Sequence, residues 1–266
     1  MQSSAAILVA TIYKSLIFVV FEKNHCQIYT LIQWLFKGKE TLFKMKRCNG
    51  VINCGDKSDE LDCETVIIDS TYISDYPPLS ENEKDEIIKA DVEISVDILS
   101  ILSISEKDSI FEVSFILNQR WFDGRLVYHN LKNDSDINTI TSKEKEAIWR
   151  PKLEFSNTKS KEDMVLDQKV FTKIIQMGNH TRSDITVAES AYIFKGEDNP
   201  ILLSRIYDIR FICEYDMSWY PFDIQTCNIE MVMDGVLDNY AQLLPGLVNF
   251  TGPMELTQYF VQNNHL

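Results

Sequence analysis

Glycine and proline are scarce in this chain, 9 and 7 of 266 residues, which excludes collagen-like and low-complexity character. Basic residues are in deficit: 26 Lys+Arg stand against 40 Asp+Glu, for a net charge of -14. That balance argues against a nucleic-acid partner, because phosphate binding rests on clustered Lys and Arg. Histidine occurs only 4 times, at 25, 129, 180 and 265, with no metal-ligand spacing. GxSxG, HExxH and phosphate-loop patterns are missing too, so an enzyme is not expected. After Phe21 no run reaches the roughly 18–20 apolar residues needed to span a bilayer.

What is present begins with an apolar leader. Residues 5–21 (AAILVATIYKSLIFVVF) are interrupted only by Lys14 and Ser15 among their late positions. Residues 1–25 read as a signal peptide, with a signal anchor second and a buried amphipathic helix third. Charge is segmented: residues 1–55 hold 7 bases and 2 acids, whereas 56–108 hold 16 acids and 4 bases. The six cysteines divide likewise, four at 26, 48, 54 and 63 and a distant pair at 213 and 227. Two disulfide systems in an oxidising compartment follow. Sequons at Asn133, Asn179 and Asn249 agree with a secretory route as glycan acceptors.

Residues 64–78 (ETVIIDSTYISDYPP) read as a linker, and the domain proper is expected from 79 to 266. Ser80-Glu-Asn-Glu83 has capping-box form and precedes Ile87 and Ile88, which predicts a short helix over about 80–90. From 91 onward the period becomes two. Val92, Ile94, Val96 and Ile98 alternate with polar residues, as do Phe111, Val113, Phe115 and Leu117, and later Cys227, Ile229, Met231 and Met233. More strand-like runs occupy about 164–176, 185–194 and 201–213. Many strands without a long helix predict an all-β sandwich.

The most informative segment is CEYDMSWYPFDIQTC, Cys213 to Cys227. It resembles the signature loop of the Cys-loop receptors, the pentameric ligand-gated ion channels. Met217, Tyr220, Pro221 and Asp223 stand where that pattern requires them, while Tyr215 replaces the usual aliphatic residue or Phe. Trp121-Phe-Asp123-Gly-Arg125-Leu126 is similar to the family's Trp-x-Asp-x-Arg-Leu stretch. Trp149-Arg-Pro151 through Phe155-Ser-Asn157 is similar to its Trp-x-Pro-Asp-x-x-Phe-x-Asn, with Lys152 in place of the Asp.

That resemblance implies an immunoglobulin-like β-sandwich of about ten strands with a short N-terminal helix. It implies the extracellular ligand-binding part of a channel subunit at the cell membrane, partnered by other subunits and by a small neurotransmitter-like ligand. Ligand binding between subunits would place Phe115 and Trp121 on one face and Ser156 and Asp234 on the other. Trp121, Trp149 and Tyr240 also suit a core. The disulfide Cys213–Cys227 would close the loop, and its surface from Tyr215 through Trp219, Tyr220, Pro221, Phe222 and Asp223 would face the membrane helices, joined by the turn at 105–109. A secreted binding protein with the same sandwich is the alternative. The chain stops at Leu266 within a segment similar to the start of the ninth strand, which predicts an incomplete chain.

Residues 26–63 include CNGVINCGDKSDELDC, which resembles the second half of an LDL-receptor class A repeat. By that resemblance Cys48 pairs with Cys63, and Cys54 needs an earlier partner such as Cys26. Asp59 and Glu60 with Asn49 and Asn53, helped by the carbonyls of Lys46 and Val51, would bind Ca²⁺ through hard oxygen donors. Asn at both early positions leaves two formal negative charges instead of four, so weaker binding is expected.

Overall fold

A computed structural model describes residues 6–12, 15–21, 64–81, 87–159, 171–182, 192–220, 222–233, 239–256 and 259–261. The chain divides into two compact units, 1–64 with 182–192, and 65–181 with 193–266. In the first, β1 (Ala6–Ile12) and β2 (Ser15–Phe21) form an antiparallel hairpin that pairs Ala6 with Phe21 and Ile12 with Ser15. Residues 6–12 and 15–21 of the apolar segment are thus paired as strands. The cysteines at 26, 48, 54 and 63 lie outside the described residues.

The second unit is all-β. Its elements begin with β3 (Val66–Ile67), β4 (Ser80–Glu81), β5 (Ile87–Ile88), β6 (Ala90–Ser105), β7 (Ile110–Trp121) and β8 (Val127–His129). A 3-10 turn (Ser135–Ile137) and α1 (Ser142–Ala147) follow, then β9 (Leu153–Phe155), β10 (Phe171–Ile174), β11 (Thr181–Arg182), β12 (Tyr192–Lys195), β13 (Ile201–Ile212), β14 (Met231–Met233) and β15 (Ala241–Phe250). One sheet runs in the order β10-β13-β7-β6-β15. A second places β12 beside β8 and β8 beside β3, and β9 pairs with β14.

Alternation explains this sandwich. Val92, Ile94 and Val96 of β6, with Phe111, Val113, Phe115, Leu117, Gln119 and Trp121 of β7, are buried, and the residues that alternate with them are not. β13 adds Ile201, Leu203, Tyr207, Ile209 and Phe211 in a register that pairs Ile201 with Trp121 and Ile212 with Ile110. A one-residue slip would turn every apolar side chain outward, and each large one contributes about 1.5–3 kcal/mol by burial. Register is therefore fixed by the pattern.

Three expectations need correction. The helix over 80–90 is not found at its described ends, because Ser80–Glu81 pairs with Ile87–Ile88 as antiparallel strands. Its only apolar neighbours, Ile87 and Ile88, are adjacent and β-branched, and so offer no helical face. The helix of this unit is instead α1, opened by a Thr141–Glu144 capping box. Residues 65–78 are not a spacer either: Val66 is buried, and Glu144 Oε1 accepts from the backbone N–H of Thr65 (2.8 Å) and Val66 (2.9 Å). The alternation over 227–233 persists as exposure, but only Met231–Met233 pairs as strand. β15 pairs parallel to β6 although it contains Pro245, which an edge strand tolerates at the irregularity between Pro245 and Val248.

Candidate functional site

The ordered motifs prove to be one cluster. The carboxylate of Asp123 is completely buried (0% exposed) and accepts from Arg125 Nε (2.9 Å) and Nη2 (2.8 Å), from the Arg125 N–H (3.1 Å) and from Tyr72 OH (2.9 Å). Tyr72 OH in turn accepts from the Trp149 N–H at 2.8 Å, and the Arg125 guanidinium lies 4.5 Å from the Tyr72 ring centre. Trp121 meets Trp149 edge-to-face at 5.9 Å. Burial pushes the Tyr72 hydroxyl well above the usual tyrosine range, against the Trp149 N–H and with the Asp123 charge. Two motifs and a tyrosine from the segment read as a linker therefore stitch the sandwich together. The Asp123 carboxylate and the Tyr72 hydroxyl are taken up by internal partners.

The ligand-binding expectation divides accordingly. Phe115 (0% exposed) stacks on Tyr207 at 5.4 Å and meets Phe155 and Phe211, while Trp121 is 1% exposed. Neither side chain presents a face to a ligand, which corrects that assignment. The reason is strand parity: both occupy the inward register of β7. Residues of the outward register were overlooked. On that face Glu93 pairs with Arg120 (2.9 Å), and Asp97 accepts from Asn118 (2.8 Å) and Asn249 (2.9 Å). Ser204 donates to Asn118 Oδ1 at 2.5 Å, so one polar ladder crosses β15, β6, β7 and β13. The polar half of the alternation was the available signal.

Ser156 is exposed and donates to Glu230 Oε2 (2.9 Å), just beyond the β9–β14 pairing that joins Phe155 to Met231 and Leu153 to Met233. Asp234, next after Met233, lies outside the described residues. Asn157 holds this corner: Nδ2 donates to Asn228 O (2.7 Å) and Oδ1 accepts from the Glu230 N–H (3.1 Å). Tyr240, suited to a core by sequence, is exposed.

Cys213 and Cys227 form the expected disulfide, with Cα atoms 5.2 Å apart. The loop they close bares its aromatic tip: Trp219 is 77%, Tyr220 69% and Phe222 89% exposed, with Ile224 also outside. Asp223 accepts from Gln225, whose amide also binds the Asp216 carbonyl (2.8 Å) and whose Oε1 takes the Asp216 N–H (2.9 Å). Pro221 lies outside the described residues. So do Asn49, Asn53, Asp59 and Glu60, and among the described residues no group of three or more acids, histidines or cysteines forms a metal cluster. The sequon residues Asn133, Asn179 and Asn249 are exposed. No helix among the described residues is long and apolar enough to cross a membrane.

Residues 65–233 match the family described as the neurotransmitter-gated ion-channel ligand binding domain. Glycine receptor subunit beta of Rattus norvegicus is 27% identical over 165 residues, which is 62% of this chain and 29% of that protein. Gamma-aminobutyric acid receptor subunit pi of Rattus norvegicus is 26% identical over 179 residues, 64% of this chain and 34% of that protein. Gamma-aminobutyric acid receptor subunit beta-like of Drosophila melanogaster is 25% identical over 181 residues, 64% and 32% of the two chains. The match to these curated relatives spans only 29–34% of their length.

Proposed function

This chain belongs to the neurotransmitter-gated ion-channel ligand-binding domain family, and on that premise we propose that it is the extracellular ligand-binding portion of a pentameric channel subunit. Ligand held between neighbouring subunits then gates ion flow through a membrane part. The observation that carries this reading is the disulfide loop: a closed loop raises three large aromatics into solvent, and exposed apolar patches of this kind mark an interface. The occupant we assign is the membrane half of the same receptor, with residues 105–109 beside the loop.

For the ligand, the relatives' names point to small amino acids. We place its ammonium group at the corner of Ser156 and Glu230, because a carboxylate suits a cation. Asn133, Asn179 and Asn249 are proposed as glycan acceptors. The segment 26–63 is proposed as a partial LDL-receptor class A module that takes Ca²⁺ through Asp59, Glu60, Asn49 and Asn53.

A chimera carrying residues 65–261 on the membrane half of a gated channel of this family tests the reading. Glycine and gamma-aminobutyric acid are applied, and currents are recorded with surface expression and ligand binding measured in parallel. The expected result is a ligand-evoked current that Glu230→Gln weakens. A chimera that reaches the surface and binds ligand without current would favour the secreted binding protein instead.

A further inference from the structure

Three segments distant in sequence meet on one turn at the disulfide end of the sandwich. The turn at 105–109 joins β6 to β7. Ser105 Oγ donates to Asp108 Oδ2 (2.8 Å), and the Ser109 N–H donates to Glu106 O (3.2 Å). Ser109 holds φ at 56°, a left-handed conformation that a serine keeps only where its surroundings enforce it. Those surroundings are the other two segments. The Cys213 N–H donates to Ser109 O (3.0 Å), and Tyr215 OH donates to Ile110 O (2.8 Å). From the far side, Tyr259 OH donates to the Glu106 carboxylate.

Tyr215 stands where the loop pattern that this segment resembles has an aliphatic residue or Phe, and its hydroxyl has a defined acceptor. Among the described residues, the other side-chain hydrogen bonds of the loop stay inside it, between Asp216, Ser218, Asp223 and Gln225. Tyr215 is the side chain that fastens the loop to the sandwich. Burial and then the Glu106 charge raise its pKa, so that carboxylate lies within electrostatic reach of Tyr215 while holding Tyr259.

We infer that Tyr215, Glu106 and Tyr259 form a clasp that binds the disulfide loop, the β6–β7 turn and the segment at 255–260 into one mechanical unit and sets how firmly the aromatic tip is held. Beside Tyr259, Glu255 pairs with Phe260 and the Leu256 N–H donates to Tyr259 O (2.8 Å). The functional consequence rests on the reading of the tip as the transmitting surface.

Hydrogen exchange on the whole chain tests the clasp. Tyr215→Phe deletes one hydroxyl and keeps the ring, and Tyr259→Phe does the same on the other side. Losing a net hydrogen bond should speed exchange of amides 214–226 about fivefold in Tyr215→Phe, and of 105–110 and 255–261 about fivefold in Tyr259→Phe. Each variant should also loosen the other's segment, with the melting temperature unchanged within about 2 °C. Unchanged exchange in 214–226 for Tyr215→Phe would overturn the inference. So would a uniform rise across β6, β7 and β13 with a lowered melting temperature, since that is what a merely structural role predicts. In the chimera, Tyr215→Phe should shift the half-activating ligand concentration at least threefold without changing ligand binding. Faster exchange with unaltered gating would leave the clasp standing and defeat the tip as transmitter.

Discussion

Asp123 shows what a single residue does in this molecule. A buried carboxylate is tolerable only when charge and lone pairs are met, and here Arg125, Tyr72 and a backbone N–H meet them. Asp123→Asn removes the charge and turns an amide towards donors. The expected loss is about 3 kcal/mol, read as a lower urea midpoint at unchanged slope. A loss below about 0.5 kcal/mol would mean that the cluster is not a stitch. Tyr128 beside it is fully buried with a hydroxyl that has no partner among the described residues, and burial, followed by the Asp123 and Tyr72 charges, pushes its pKa up. A tyrosine that holds its proton more tightly when folded contributes stability that is complete below its unfolded value of about 10 and is lost as pH rises above it. The melting temperature should therefore be flat to about pH 9.5 and fall beyond pH 10. Tyr128→Phe should flatten that fall and leave neutral stability equal or higher, because an unpaired buried hydroxyl is removed. A destabilised Tyr128→Phe would point to a missed partner.

Among the elements, the disulfide loop separates covalent closure from packing. In the chain-entropy model a loop of this length stabilises by roughly 3 kcal/mol, so Cys213→Ser with Cys227→Ser should lower stability by about that much. Non-reducing peptide mapping should recover both cysteines in one linked peptide. The tip behaves differently. Trp219 and Phe222 are almost wholly outside, so Trp219→Ser with Phe222→Ser should raise solubility and lower the melting temperature by no more than a few degrees. A loss near the 3–5 kcal/mol of a deleted core aromatic would place them in the core. β15 contains Pro245, which removes a ladder donor, and its place at the edge of the sheet beside β6 makes that harmless.

For the molecule as a whole, the acidic balance and the two cysteine groups follow the division of the chain into a first segment and a sandwich. The first segment carries its own prediction. Oxidised residues 26–63, titrated with Ca²⁺ by calorimetry, should bind more weakly than a repeat with four acids, and Asp59→Ala should abolish the heat. An unchanged heat would show that the acids are a solvated loop.

Alternation of apolar and polar residues along β6 and β7 was enough to determine strands of an all-β sandwich and which face of each is buried, because burial of one face is a local rule read two residues at a time. The Cys213–Cys227 closure and its aromatic tip were legible for a similar reason: the residues that define them are contiguous. Tertiary structure alone decided the rest. Phe115 and Trp121 share a motif region with exposed neighbours, yet strand parity sends them inward, whereas Asn118 and Arg120 turn outward. Residues 65–78 carry a linker's composition, yet Glu144 and Asp123, 79 and 51 residues away in sequence, draw Thr65 and Tyr72 into the domain. Contacts of such separation leave no periodic trace in a chain, because what selects them is the space left by the packed sheets.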